Sequence, residues 1–171
     1  RQRQMCIRDR YHGLPVQDAI FFNQSDLICE MAKKEDFIVM GRCADVVLTN
    51  HRIPHISIFI TASFEQRVRR MMELHNLNYK QAAHLLVKLD ARHAKYYFDY
   101  TGKKWGDAVN YDLCINSASY GIEESVELIE RMINKYPKQL NKCDGRKRTV
   151  DRCLQFFFCN EISSKSIFEN M

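Results

Sequence analysis

The sequence predicts an α/β fold built on a parallel sheet, with helices between the strands. Three observations carry that prediction. Continuous apolar runs at residues 37–40 (FIVM) and 56–60 (ISIFI) have the composition of short strands covered on both faces. The stretches between and beyond them space their apolar residues at helical intervals instead. Two of those stretches open with helix-start chemistry, Ser63 with Gln66 and Asn78 with Gln81, at capping-box spacing. Strand, helix, strand, long helical excursion, strand, helix is the order of strands joined by crossovers within one layer.

At 171 residues the chain suits one domain with a core large enough to stand without disulfides or metals. A hydrophobic share of 46% and a charged share of 27% are those of an ordinary globular protein and select no activity. The net charge of +5 suits an anionic ligand such as a nucleotide without requiring one. Seven cysteines, odd in number, scattered and without a CxxC pair, argue for reduced thiols rather than a disulfide frame or a zinc site. No apolar run approaches the ~20 residues that cross a bilayer. The expectation is a soluble cytoplasmic protein with no membrane partner.

Taken in order, residues 1–10 (RQRQMCIRDR) carry four Arg and no apolar period, and read as adapter read-through or a fusion scar. Residues 11–35 start as a loop at Gly13 and Pro15 and continue as helix, with Asn23 or Ser25 placed to cap a second helical piece. The first strand ends at Gly41-Arg42. A Gly there lets a ligand come close to backbone, and Arg42 offers a planar donor fork to a phosphate or carboxylate. Residues 43–48 predict a short helix, and Pro54 precedes the second strand. A helix from Phe64 to His75 puts Val68, Met71 and Met72 on one face and Arg67, Arg69 and Arg70 elsewhere; a second runs through Ala82, Leu85, Leu86 and Leu89. Residues 88–117 then concentrate Asp90, Arg92, His93, Lys95, several tyrosines and the only Trp, more decoration than a connector needs. A third strand at 111–117 and an amphipathic helix at 121–136 follow. Residues 138–152 hold six Lys or Arg and read as a solvated basic tail, and LQFFFC (154–159) as a short strand or helix packed on the surface. No RNA-binding motif accompanies the tail, so nucleic acid is not the favoured partner.

Several chemistries are excluded. None of the six glycines completes GxxxxGK[ST]; at Thr101-Gly102-Lys103-Lys104 the first Gly is Tyr97 and the hydroxyl position is Lys104. His51 and His55 have zinc-pair spacing, but Pro54 lies between them, and no metal site is expected. There is no GxSxG elbow. What remains is a set of cations, Arg42, Arg67, Arg70, Arg92 and Lys95, the equipment by which phosphoryl transfer neutralises charge developing on oxygens.

FIVMGRCADVVL, ISIFITASFEQRVRRMMELHNL and DARHAKYYFDYTGKKWGDAVNYDLCINSASYGIEESVELI, in that order, resemble the cytidylate kinase-like family of P-loop nucleoside-monophosphate kinases. The resemblance covers about residues 11–136. Its most specific part is Tyr96-Tyr97, Thr101-Gly102, Trp105-Gly106 and Tyr111-Asp112-Leu113. It implies a three-layer P-loop NTPase-like sheet flanked by helices over 11–137, with a lid at about 64–106 and no domain assigned to 138–171. It implies ATP with Mg²⁺ as donor and CMP or dCMP as acceptor. It places Gly41 and Arg42 against the acceptor, and Arg67, Arg70, Asp90, Arg92 and Lys95 in the lid as phosphate-facing catalytic groups. A closing lid would exclude water and favour transfer over hydrolysis.

The sequence departs from the pattern at Cys43, where cytidylate kinases proper carry an acid, and at His93 and Tyr96-Tyr97 in the lid. The family also opens with a strand and a Gly-rich loop that the resemblance does not reach. That strand would lie between those at 37–40 and 56–60, so these two are expected to close on each other or leave unpaired backbone groups, at about 1–3 kcal/mol each. The expectation is an N-terminally truncated kinase with negligible activity as written. The alternative is a non-catalytic nucleotide- or RNA-binding module using the basic tail.

Overall fold

The computed structural model describes residues 13–135 and Cys153–Phe158. Helix α1, Val16–Ala32, starts after Pro15, whose fixed φ suits a helix entrance. It is one helix, not two. Ser25 lies inside it and turns its hydroxyl back to the Phe21 carbonyl one turn earlier at 2.8 Å, so it caps nothing. Strand β1, Phe37–Met40, is followed by α2, Ala44–Asn50, and by β2, His55–Thr61.

Helix α3 spans Phe64–His75, with the Ser63 hydroxyl accepting from the Gln66 amide at 3.4 Å. Helix α4 spans Tyr79–Thr101 and opens with a complete capping box: Asn78 accepts from the Gln81 amide at 2.9 Å, and the Gln81 side chain accepts from the Asn78 amide at 3.1 Å. The decorated segment after Leu89 is therefore not a connector. It continues the same helix for three more turns, to Gly102, whose left-handed φ of +67 ends it. A 3₁₀ turn at Ala108–Asn110, strand β3 at Leu113–Asn116, a short helix α5 at Ser117–Tyr120 and α6 at Ile122–Lys135 complete the continuous part.

Strand β4, Cys153–Phe158, gives the sheet its order: β1-β4-β2-β3, all parallel. The strands at 37–40 and 56–60 thus neither close on each other nor lack a neighbour. Val39 and Ser57 both pair with Gln155 across the inserted strand. The basic residues 138–152 lie outside those described.

Period-two alternation decides which residues face which helices. Ile38, Ile56, Ile58, Ile60 and Ile115 meet Val126 and Ile129 of α6. On the opposite face Phe37 and Val39 meet Ile28, Ala32, Val47 and Leu48 of α1 and α2. The sheet is therefore small, parallel and flanked by helices on both faces, which is why its strands read as unbroken apolar runs. The α3–α4 hairpin has a separate core of Val68, Met71, Ala82 and Leu86.

Candidate functional site at the carboxyl edge of the sheet

Four parallel strands put all their carboxyl ends on one edge, where ligands of open α/β sheets bind. At the end of β1, Gly41, Arg42 and Cys43 have φ of 66, 61 and 53, three consecutive left-handed residues. Glycine adopts this freely, whereas each of the other two costs about 1–2 kcal/mol. Such a turn persists only where its surroundings hold it. A Cβ at Gly41 would meet open space, so backbone there is approachable, and Arg42 is exposed beside it. Cys43 points inward. Burial pushes its thiol up to about 12, which leaves it an inert packing group rather than a nucleophile.

Cys43 packs into a cluster with Phe59, Tyr97 and Tyr111, joined by Tyr96, Tyr100 and Trp105. Phe59 stacks on Tyr111 with centroids 4.9 Å apart and meets Trp105 edge-on at 5.8 Å. Gly106, at φ +73, passes so close that a Cβ would lie 3.1 Å from the Phe59 ring. Tyr97 is buried, and its hydroxyl donates to Asp45 Oδ2 at 2.5 Å. Asp45 sits in the first turn of α2, only 4% exposed, and its Oδ1 has no hydrogen-bond partner among the described residues. Desolvation raises its carboxyl above the usual range, against the opposing pull of the Tyr97 hydrogen bond, the Val46 amide, Lys103 and His55. Tyr97 is itself raised, by burial first and then by Asp45.

Helix α3 is rooted at the same edge, three residues after β2 ends at Thr61. Arg67 in its first turns donates through Nη2 to Asp90 Oδ1 of α4 at 2.6 Å, with side chains 10% and 28% exposed. Its Nε–H is buried with no acceptor among the described residues. Arg70, one turn on, is half-buried. These positions join the predicted set into two groups. Arg67 and Asp90 are brought into contact, whereas Arg92 and Lys95 fall on the outward face of α4, both exposed, with Lys95 Nζ 2.8 Å from Asp99 one turn away. β1 and β2 are separated only by β4, so the strands that position Arg42 and Arg67 lie about 10 Å apart. His51 and His55 turn their Nδ1 atoms to different carbonyls, those of Val47 and Ile53.

The residue missed in the sequence is Asp45. The signal was an acid set in the apolar run Ala44-Asp45-Val46-Val47-Leu48, where only a partnered carboxylate is tolerable.

A parallel sheet whose strand ends carry one arginine and root a hairpin carrying another has the construction of an anion-binding α/β protein. The sequence profile of the cytidylate kinase-like family matches residues 2–119, and the chain belongs to that family. Among curated proteins it is similar to a cytidylate kinase of Staphylothermus marinus, 26% identical over 110 residues that make up 64% of this chain and 61% of that one. The chain thus spans about three fifths of the length of that relative. Among solved structures it is similar to an uncharacterized protein of Eubacterium ventriosum, 30% identical, with a TM-score of 0.65 over 74% of this chain and 70% of the other.

Proposed function

We propose that this chain is the acceptor-binding and lid portion of a nucleoside-monophosphate kinase, one that transfers the ATP γ-phosphoryl group to CMP or dCMP. Family membership supports the reaction class. The observation that carries the local reading is Arg67: a guanidinium nine-tenths buried, held by one carboxylate, with a desolvated N–H left over. An unmet buried donor costs about 1–3 kcal/mol, and a phosphate oxygen is the partner that would meet it. In this reading Asp90 orients Arg67, and Arg70 adds charge beside it. Arg42 forks onto the acceptor phosphate over the approachable backbone of Gly41. Arg92 and Lys95 act from the outer face of the lid, through the field that draws anions toward it.

The family implies ATP and Mg²⁺, but the residues present supply no cradle for the donor phosphates: the sequence has no GxxxxGK[ST], whose backbone amides hold the phosphates and whose hydroxyl ligates Mg²⁺. We therefore assign these residues the acceptor side alone and expect the polypeptide to bind CMP while transferring little. No helix among the described residues is long and apolar enough to cross a membrane. The free thiols of Cys29, Cys43 and Cys114 fit the reducing cytoplasm, where we place the protein.

Titration calorimetry with CMP tests this. Saturable binding is expected, weakened roughly 10- to 100-fold in Arg42→Ala, the worth of a charge-assisted hydrogen bond. Absence of CMP binding, or salt-steep RNA binding lost on deleting residues 138–171, would refute the reading.

A further inference from the structure

We propose that Asp45 is a positioning residue for Arg42: its hydrogen bond with Tyr97 latches the left-handed Gly41-Arg42-Cys43 turn onto α4, the helix that also orients Arg67. The proposal rests on the reading of Arg42 as an acceptor-binding group.

Two non-glycine residues in a row at positive φ do not stay there by their own preference. β1 fixes one end of the turn, and the first turn of α2 fixes the other. α2 is only seven residues long and cannot anchor itself. Val47 and Leu48 pack its body against the sheet, and its first turn is held by the carboxylate of Asp45, kept in an apolar setting with one oxygen lacking a partner among the described residues and the other 2.5 Å from the Tyr97 hydroxyl. That hydroxyl does not stand alone. While donating to Asp45 it is also hydrogen-bonded to the Tyr111 hydroxyl, whose oxygen accepts from the Gly106 amide at 3.4 Å. Three segments, the turn, α4 and the loop following α4, thus end in one buried chain of hydroxyls.

α4 is continuous from Tyr79 to Thr101, and Asp90 precedes Tyr97 by seven residues, two turns on the same face. One rigid helix therefore places both arginines, Arg67 through Asp90 and Arg42 through Tyr97 and Asp45. Their separation is set before any ligand arrives, which spares binding the cost of ordering them.

Tyr97→Phe keeps the ring and deletes the latch; Asp45→Asn keeps an acceptor for the Tyr97 hydroxyl. The expected result for Tyr97→Phe is about tenfold weaker CMP binding, with amide exchange at residues 42–47 about tenfold faster and exchange in α6 unchanged. Asp45→Asn should stay within about threefold of wild type on both measures. Asp45→Leu/Tyr97→Phe, which leaves no polar group stranded, should show the same local loosening as Tyr97→Phe. Wild-type exchange at 42–47 in Tyr97→Phe, or in the double variant should the single one not fold, overturns the latch. Exchange is read without ligand. A wild-type chain that does not bind CMP while its variants loosen locally would overturn the acceptor reading and leave the latch standing.

Discussion

Asp45 ties the stability of the protein to pH with a definite sign. Desolvation raises its carboxyl above the reference value of 3.8, so the folded state binds that proton more tightly than the unfolded chain. Its contribution is fully present below 3.8 and is lost as pH rises from there through the raised folded value. The groups facing it are Tyr97, Tyr111, Cys43, Lys103 and His55. Urea unfolding of wild type and Asp45→Asn between pH 4 and pH 7 should show the stability difference moving steadily in favour of the Asn variant. A pH-independent difference would show that Asp45 is not desolvated as described. At this scale the sequence is legible where chemistry is local. Gly41-Arg42 stood out because a glycine at a strand end has few other uses, whereas Asp45 takes its meaning from a tyrosine 52 residues away.

At the level of elements, the boundaries of α3 and α4 were readable because caps act within one turn: Ser63 with Gln66 and Asn78 with Gln81 are complete in four residues each. The far end of α4 was not. From Asp90 to Tyr100 its inward face includes Asp90, His93 and Tyr97, polar and aromatic groups that read as decoration until Arg67, Trp105 and the cluster around Phe59 supply their partners. The hairpin these helices form is pinned by Arg67 and Asp90, a pair buried on the arginine side. Asp90→Ala leaves a guanidinium without its carboxylate in a low-dielectric site and should cost about 1–3 kcal/mol in urea unfolding. Arg67→Met/Asp90→Leu removes both charges and should recover more than half of that loss, while abolishing the CMP affinity assigned to Arg67. If Asp90→Ala is neutral, the pair does not hold the hairpin, and Arg67 is not preset for a phosphate.

For the whole molecule, parallel pairing follows from composition, since strands covered on both faces need helices on both sides, but the identity of the central strand does not. β4 lies far along the chain from both of its partners, and pairing across such separations leaves no trace in local pattern. Its apolar run has strand composition, but the six basic residues at 138–152 hide its membership in the sheet. Gln155 pairs with Val39 on one side and Ser57 on the other, so Gln155→Pro removes a ladder donor from a strand that has no free edge. The expected loss is about 3 kcal/mol or more, read as a lowered denaturant midpoint with Trp105 fluorescence as the probe. The site should respond as well. β4 spaces the strands that carry Arg42 and root Arg67, so CMP affinity should fall in Gln155→Pro even under conditions where the variant remains folded. An unchanged midpoint together with unchanged CMP affinity would mean that β1 and β2 hold their spacing without β4, and that the carboxyl edge is built by the α4 latch alone.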